Sequence, residues 1–237
     1  ARPVFVYSQP QDIHVSVITR EGASVPAGES YPGFYAPYAS RIRRMDECFG
    51  AFVAELERRG IYRNSIVILT SDHGDSLGEE GRWGHAYTLF PEIIRVPLIV
   101  HLPDALKASV VSDPDRLAFL TDITPSLYFL LGHAASIGSE LFGAPLFART
   151  RQELVDRSRE EFLLASSYGP VYGLLRENGR SLYVVDAINY VDDEFDLAAD
   201  PKGSRTMVSA AMRVEFARTI RRKIEELHAF YKAELPR

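Results

Sequence analysis

Residues 64–71, Asn-Ser-Ile-Val-Ile-Leu-Thr-Ser, are a β-branched apolar run of strand length, and they stop at Asp72-His73-Gly74. A strand apolar on both faces needs cover on both faces, which points to a layered α/β domain. The elements around it agree. Pro3 to Ser8 reads as a buried strand carrying Val4, Phe5, Val6 and Tyr7, followed by a loop to Gly33. Tyr38, Ile42, Met45, Phe49, Phe52 and Leu56 recur at helical spacing on one stripe that ends at Gly60. A further strand is expected at "VPLIVHL", residues 96–102. The order strand, helix, strand, loop, strand suggests parallel strands with helical crossovers. Residues 115–132 read as helix, with Pro125 opening a new turn. After about residue 150 the pattern changes to short strands separated by Gly169-Pro170 and Asn178-Gly179, the second a hairpin signal. An amphipathic helix from Met212 to Tyr231 closes the chain. The expected organisation is thus an α/β part over residues 1–150 and a small antiparallel sheet with a terminal helix over 151–237.

Composition narrows the function classes. A net charge of −5 gives no general reason to expect nucleic-acid binding, and the arginine clusters at 41–44 and 218–222 read as solvated helix faces. No apolar run approaches the ~20 residues of a membrane span. The one cysteine, Cys48, reads as a packed thiol on the helix. No G-x-S-x-G, phosphate-loop, H-E-x-x-H or C-x-x-C motif is present. The chain opens in a strand, without Met or a leader, and is expected to be part of a longer protein.

The chemistry concentrates in "TSDHGDSLGEEGRWGHAYTLFPE", residues 70–92. In parallel sheets ligands bind in loops beyond the strand carboxyl ends. Asp72 and His73 stand at such an end, and His14 follows the first strand in the same way. Adjacent side chains on a strand point apart, so both reach one ion only where the backbone turns, and Gly74 is expected to turn it through a positive φ. A carboxylate with an imidazole suits Zn²⁺ or Mn²⁺ by ligand type, whereas Ca²⁺ takes oxygen. His85, beside Gly84, can bond an anionic oxygen or protonate a leaving group, and His14 can do the same. His101, His133 and His228 have no such company and read as structural.

These residues resemble the sulfatase family of the alkaline phosphatase superfamily. "TSDHGDSLGEEGRWGH…RVPLIVHLP" is similar to the C-terminal part of its catalytic domain. "TDITPSLYFLLG", "LFGAPL" and "EFDLAADPKGSRTMV" extend the likeness downstream, and "PVFVYSQPQDIH" extends it upstream. The resemblance implies an alkaline phosphatase-like α/β sandwich with a mostly parallel central sheet. It implies Asp72 and His73 as ligands of one divalent metal, Ca²⁺ by family habit. It places His14 and His85 at the sulfate or phosphate and its leaving oxygen. The implied partner is an anionic sulfate- or phosphate-ester substrate. The nucleophile would be a formylglycine from C/S-x-P-x-R or, in phosphoethanolamine transferases, a Thr, supplied with further acidic ligands by an N-terminal remainder of the same protein. Cys48-Phe49-Gly50-Ala51 does not match that motif. Many sulfatases carry Lys where this chain has His85, while the phosphotransferase branch more often has His. The implied activity is sulfuric ester hydrolysis, with phosphoryl or phosphoethanolamine transfer as the same-fold alternative and a non-catalytic binding module as the third reading.

Overall fold

The computed structural model describes residues 3–10, 13–14, 25–85, 88–133, 143–157, 159–200 and 205–234. The chain divides into two compact units, one of residues 1–66 with 77–84 and one of 67–76 with 85–237.

The first unit is built on α1 (Ala36–Arg58), which enters through Pro37 in its first turn. Its expected stripe exists as a periodicity but is not covered. No residue of α1 is buried, and Ile42 and Phe52 are 43% and 50% exposed. Cys48 is exposed, not packed, because it lies beside a stripe that nothing in the described chain encloses. Arg43 pairs with Glu47 at 3.2 Å, as a solvated face does. The strand expected at Pro3–Ser8 is absent. Residues 3–10 have no regular structure, and Val4 to Tyr7 are 76–84% exposed. β-propensity does not make a strand without a ladder partner, and none of the described strands pairs with this segment.

The second unit begins with β1 (Val67–Thr70). After β2 (Ser76–Leu77) and β3 (Trp83–Gly84), of which residues 77–84 count with the first unit, it resumes at His85 and holds the one-turn helix α2 (Pro91–Ile94) and β4 (Leu98–His101). β1 and β4 pair antiparallel, Val67 opposite His101 and Thr70 opposite Leu98, which corrects the parallel arrangement expected here. The reason lies in the connection. A parallel partner needs a crossover, usually a full helix, that carries the chain back to its starting edge. Among its described residues the link from β1 holds short strands, a 3₁₀ turn and the four-residue α2, but no full helix that could act as the crossover.

After α3 (Asp104–Lys107), a 3₁₀ turn at Leu120–Asp122 leads into α4 (Ile123–Leu130). Helical structure therefore starts with the 3₁₀ turn at Leu120, five residues later than the periodicity suggests, and the α-helix at Ile123. The buried Asp122 carboxylate accepts the Phe119 N–H at 3.0 Å and so caps that start. α5 (Arg151–Asp156) is capped by Thr150, whose hydroxyl accepts the Glu153 N–H.

The remainder is one five-stranded antiparallel sheet in chain order: β5 (Glu161–Ala165), β6 (Val171–Arg176), β7 (Ser181–Asp186), β8 (Val191–Asp196) and β9 (Arg205–Thr206). The hairpin signal at Asn178-Gly179 joins β6 to β7, with positive φ at Glu177, Asn178 and Gly179. Alternation sorts the side chains to two faces. Leu182, Val184, Leu175 and Phe195 form one core with Leu89 and Phe162. Leu174 and Tyr183 form the other, covered by Phe216 and Ile220 of α6 (Ala210–Glu234). The stripe of α6 is buried only where it crosses the sheet, and Tyr231 beyond it is 54% exposed. Among the described residues no helix is long and apolar enough to cross a membrane.

Asp192 of β8 ties these layers together. It accepts from the Tyr183 hydroxyl at 3.1 Å and from Arg213 of α6 at 2.7 Å. The Arg213 hydrogen bond holds the Asp192 carboxyl below the ordinary carboxylate range, while burial and the Asp192 charge push the Tyr183 phenol up. A depressed folded-state value gives stability that is present above the unfolded carboxyl pKa and lost as pH falls through the folded one. Urea midpoints should therefore fall below about pH 4 in the wild type, and less steeply in Asp192→Asn, which should also be the less stable protein near neutrality. Parallel acid limbs for the two proteins would contradict this role.

Candidate active site

The site grows from the end of β1. The Thr70 hydroxyl donates to the Pro97 carbonyl at 2.8 Å, holding that end beside the start of β4. The chain then bends, but Gly74 does not adopt a positive φ as expected. It is needed for a close approach. Its N–H donates to the Ile93 carbonyl at 2.7 Å, and a Cβ there would lie 2.1 Å from the Glu92 carbonyl oxygen. Ser76, 1% exposed, donates its hydroxyl to Glu92 Oε1 at 2.6 Å. Two links thus clamp the loop of residues 72–76 onto α2.

The clamp presents His73 and Asp75 to His85. Donor atoms of these three residues lie within 4.8 Å of one another. The His73 and His85 rings stack at 4.0 Å with a 35° tilt. His73 Nδ1 is 2.9 Å from the Gly74 carbonyl, which can only accept, so the proton of a neutral ring sits on Nδ1 and Nε2 carries the lone pair. His85 Nδ1 is 2.6 Å from Asp75 Oδ1, and the Asp75 side chain is only 7% exposed. Asp72 lies beside this group, not in it. Its side chain is 61% exposed, its Oδ1 accepts the His73 N–H at 3.1 Å, and its Oδ2 is 3.8 Å from His73 Nε2. His14 is half-buried, belongs to the first unit, and is not one of the three. The sequence reading therefore reached His73, His85 and Asp72 but missed Asp75. The available signal was a second acid three positions after Asp72, in Asp-His-Gly-Asp.

A C/S-x-P-x-R string, also passed over, occurs once as Ser112-Asp113-Pro114-Asp115-Arg116. Its side chains serve the fold. Ser112 is exposed, Asp113 accepts the Asp115 N–H at 3.1 Å as a turn does, and Arg116 donates to the Arg157 carbonyl. Burial and the neighbouring Arg159 charge lower the Arg116 pKa.

The donor set fits a divalent metal. Two imidazoles and a carboxylate match the preferences of Zn²⁺ or Mn²⁺ better than the all-oxygen habit of Ca²⁺, and three protein donors would leave a coordination position open.

The sulfatase family model matches residues 3–133, more than half of the chain. This chain belongs to the sulfatase family. It is 24% identical over 214 residues to the N-acetylglucosamine-6-O-sulfatase of Bacteroides thetaiotaomicron, covering 87% of this chain and 38% of that protein. Among solved structures it resembles one in complex with its substrate D-glucosamine-2-N,6-O-disulfate, with a TM-score of 0.59, 23% identity, and coverage of 85% of this chain and 42% of that one. It also resembles the phosphonate monoester hydrolase of Agrobacterium radiobacter, with a TM-score of 0.52, 21% identity, and coverage of 84% and 41%. The sulfatase-family chain thus spans well under half the length of these relatives. The matched region includes β1, the clamped loop, His85 and α2.

The clamp makes a stability prediction with an internal control. Gly74→Ala forces a methyl against a backbone carbonyl and should destabilise by roughly 1–3 kcal/mol or more in urea titrations. Gly50→Ala, in α1 with open space around it, should instead stabilise by up to about 1 kcal/mol. A neutral Gly74→Ala would mean that the loop is not held against α2.

Proposed function

We propose that this chain supplies half of the active site of a metal-dependent sulfuric ester hydrolase. The observation that carries the reading is the His73–Asp75–His85 cluster, set at the end of β1 inside the region that matches the sulfatase model. His73 offers a lone pair on Nε2, Asp75 offers a shielded carboxylate, and Asp72 stands next to His73 as a further donor. A bound divalent ion would supply Lewis-acid polarisation of the ester and neutralise charge developing on it. His85, when it carries a proton on both ring nitrogens, would donate from Nε2 to a non-bridging ester oxygen or, as a general acid, to the leaving oxygen. The nucleophile and further acidic ligands come from sequence outside this chain, and β1 joins a larger, mostly parallel sheet completed there. Covalent catalysis needs that nucleophile, so this chain alone should show negligible turnover.

A second reading is supported by the likeness to a phosphonate monoester hydrolase and by a donor set suited to Zn²⁺ or Mn²⁺. It keeps the same residues and changes only the transferred group from sulfuryl to phosphoryl.

Assays on the isolated chain and on the parent protein with its upstream sequence separate these readings. The parent should hydrolyse 4-nitrophenyl sulfate with a higher kcat/KM than a phosphonate or phosphate monoester. His85→Ala in the parent should lower kcat by about 10²–10⁴-fold, and Asp72→Ala should lower metal content together with activity. Robust turnover by the isolated chain would overturn the split-site reading. A preference for the phosphorus ester would select the second reading, and Asp72→Ala with unchanged metal would remove Asp72 from the ligand set.

A further inference from the structure

The cluster contains a pairing that metal binding alone does not require. Asp75 is the most shielded side chain of the group, and its Oδ1 meets His85 Nδ1 at 2.6 Å. A carboxylate can only accept, so Nδ1 of His85 donates. The ring is gripped a second time, by stacking on His73 at 4.0 Å, and His73 is itself locked by the Gly74 carbonyl. A ring held at one nitrogen and across one face has a set tautomer and a set plane.

We propose that Asp75 is a positioning residue that locks His85 as the Nδ1–H tautomer, so that Nε2 is the nitrogen presented for chemistry. The role of Nε2 toward an ester rests on the function proposed above, but the state of the ring does not. A hydrogen bond to an ionised carboxylate in a shielded place shifts a tautomer ratio by about tenfold or more. Without Asp75 the ring would lose the hydrogen bond that holds its proton on Nδ1. Asp75 acts here through His85, as the buried partners of ligating and catalytic imidazoles do elsewhere.

The test is long-range ¹H–¹⁵N spectroscopy of the histidine rings in this 237-residue chain, with a chelator present and at about pH 8.5, where an ordinary imidazole is neutral. His85→Gln assigns the His85 signals among the six histidines. The wild type should show His85 as Nδ1–H by more than about tenfold. Asp75→Ala should bring the two tautomers to comparable populations. Asp75→Asn, whose amide oxygen can accept the same proton, should restore the Nδ1–H form. Thermal melts establish that each variant is folded. A wild-type His85 in the Nε2–H form overturns the proposal by itself, even if Asp75→Ala fails to fold. An unchanged His85 tautomer in folded Asp75→Ala overturns it too. Because the spectra are taken without metal or turnover, absence of sulfatase activity in the parent would count against the proposed function and leave this result standing.

Discussion

The hydrogen bond from Gly74 N–H to the Ile93 carbonyl is the contact on which the site depends. It brings the loop after β1 so close to α2 that no Cβ fits at residue 74. α2 is in turn seated on the large sheet, where Leu89 belongs to the core and Phe90 meets Phe195 edge-on at 5.9 Å. The line of support runs from a fully buried sheet residue, through a one-turn helix, to the backbone that carries His73 and Asp75. The five-stranded antiparallel sheet thereby does more than bury apolar surface: it supports the backbone that carries the cluster.

The same geometry sorts the four candidate donors. Asp72 follows the strand outward and stays exposed, whereas Asp75 lies past the bend and is almost wholly covered. The side-by-side Asp72 and His73 are the obvious pair in the sequence, yet the chain folds His73 against His85, ten residues beyond Asp75. The fold thus sets Asp75 and His85 beside the adjacent pair. The two imidazoles are thereby fixed, one by a carbonyl and one by a carboxylate.

Much of this was legible in the residues and some was not, for physical reasons. The strand at 67–70, the hairpin at Asn178-Gly179 and the apolar stripe of α6 follow from local propensity and period, which the sequence carries directly. Strand direction is not local. The antiparallel pairing of β1 with β4 goes with a connection whose one α-helix among the described residues is four residues long, and so short a helix leaves little periodic trace. The segment Val4–Tyr7 has the propensity of a strand but no ladder to join in the described chain, so propensity overstates it. Gly74 was recognised as necessary, but for torsional freedom. Its real constraint is a steric one imposed by a backbone 18 residues later, which no local reading contains. Asp75 was hidden for the same reason, since its partner lies across the loop.

The central claim is that His73, Asp75 and His85 form one metal-binding, anion-facing site. Anomalous diffraction from crystals soaked separately in Zn²⁺ and Mn²⁺, recorded at each metal's edge, tests it most directly. The account predicts one strong peak at coordinating distance, about 2.0–2.2 Å, from donors of His73 and Asp75, with His85 or Asp72 in the same shell. A metal bound only elsewhere on the chain, with these three side chains undisturbed, would contradict it.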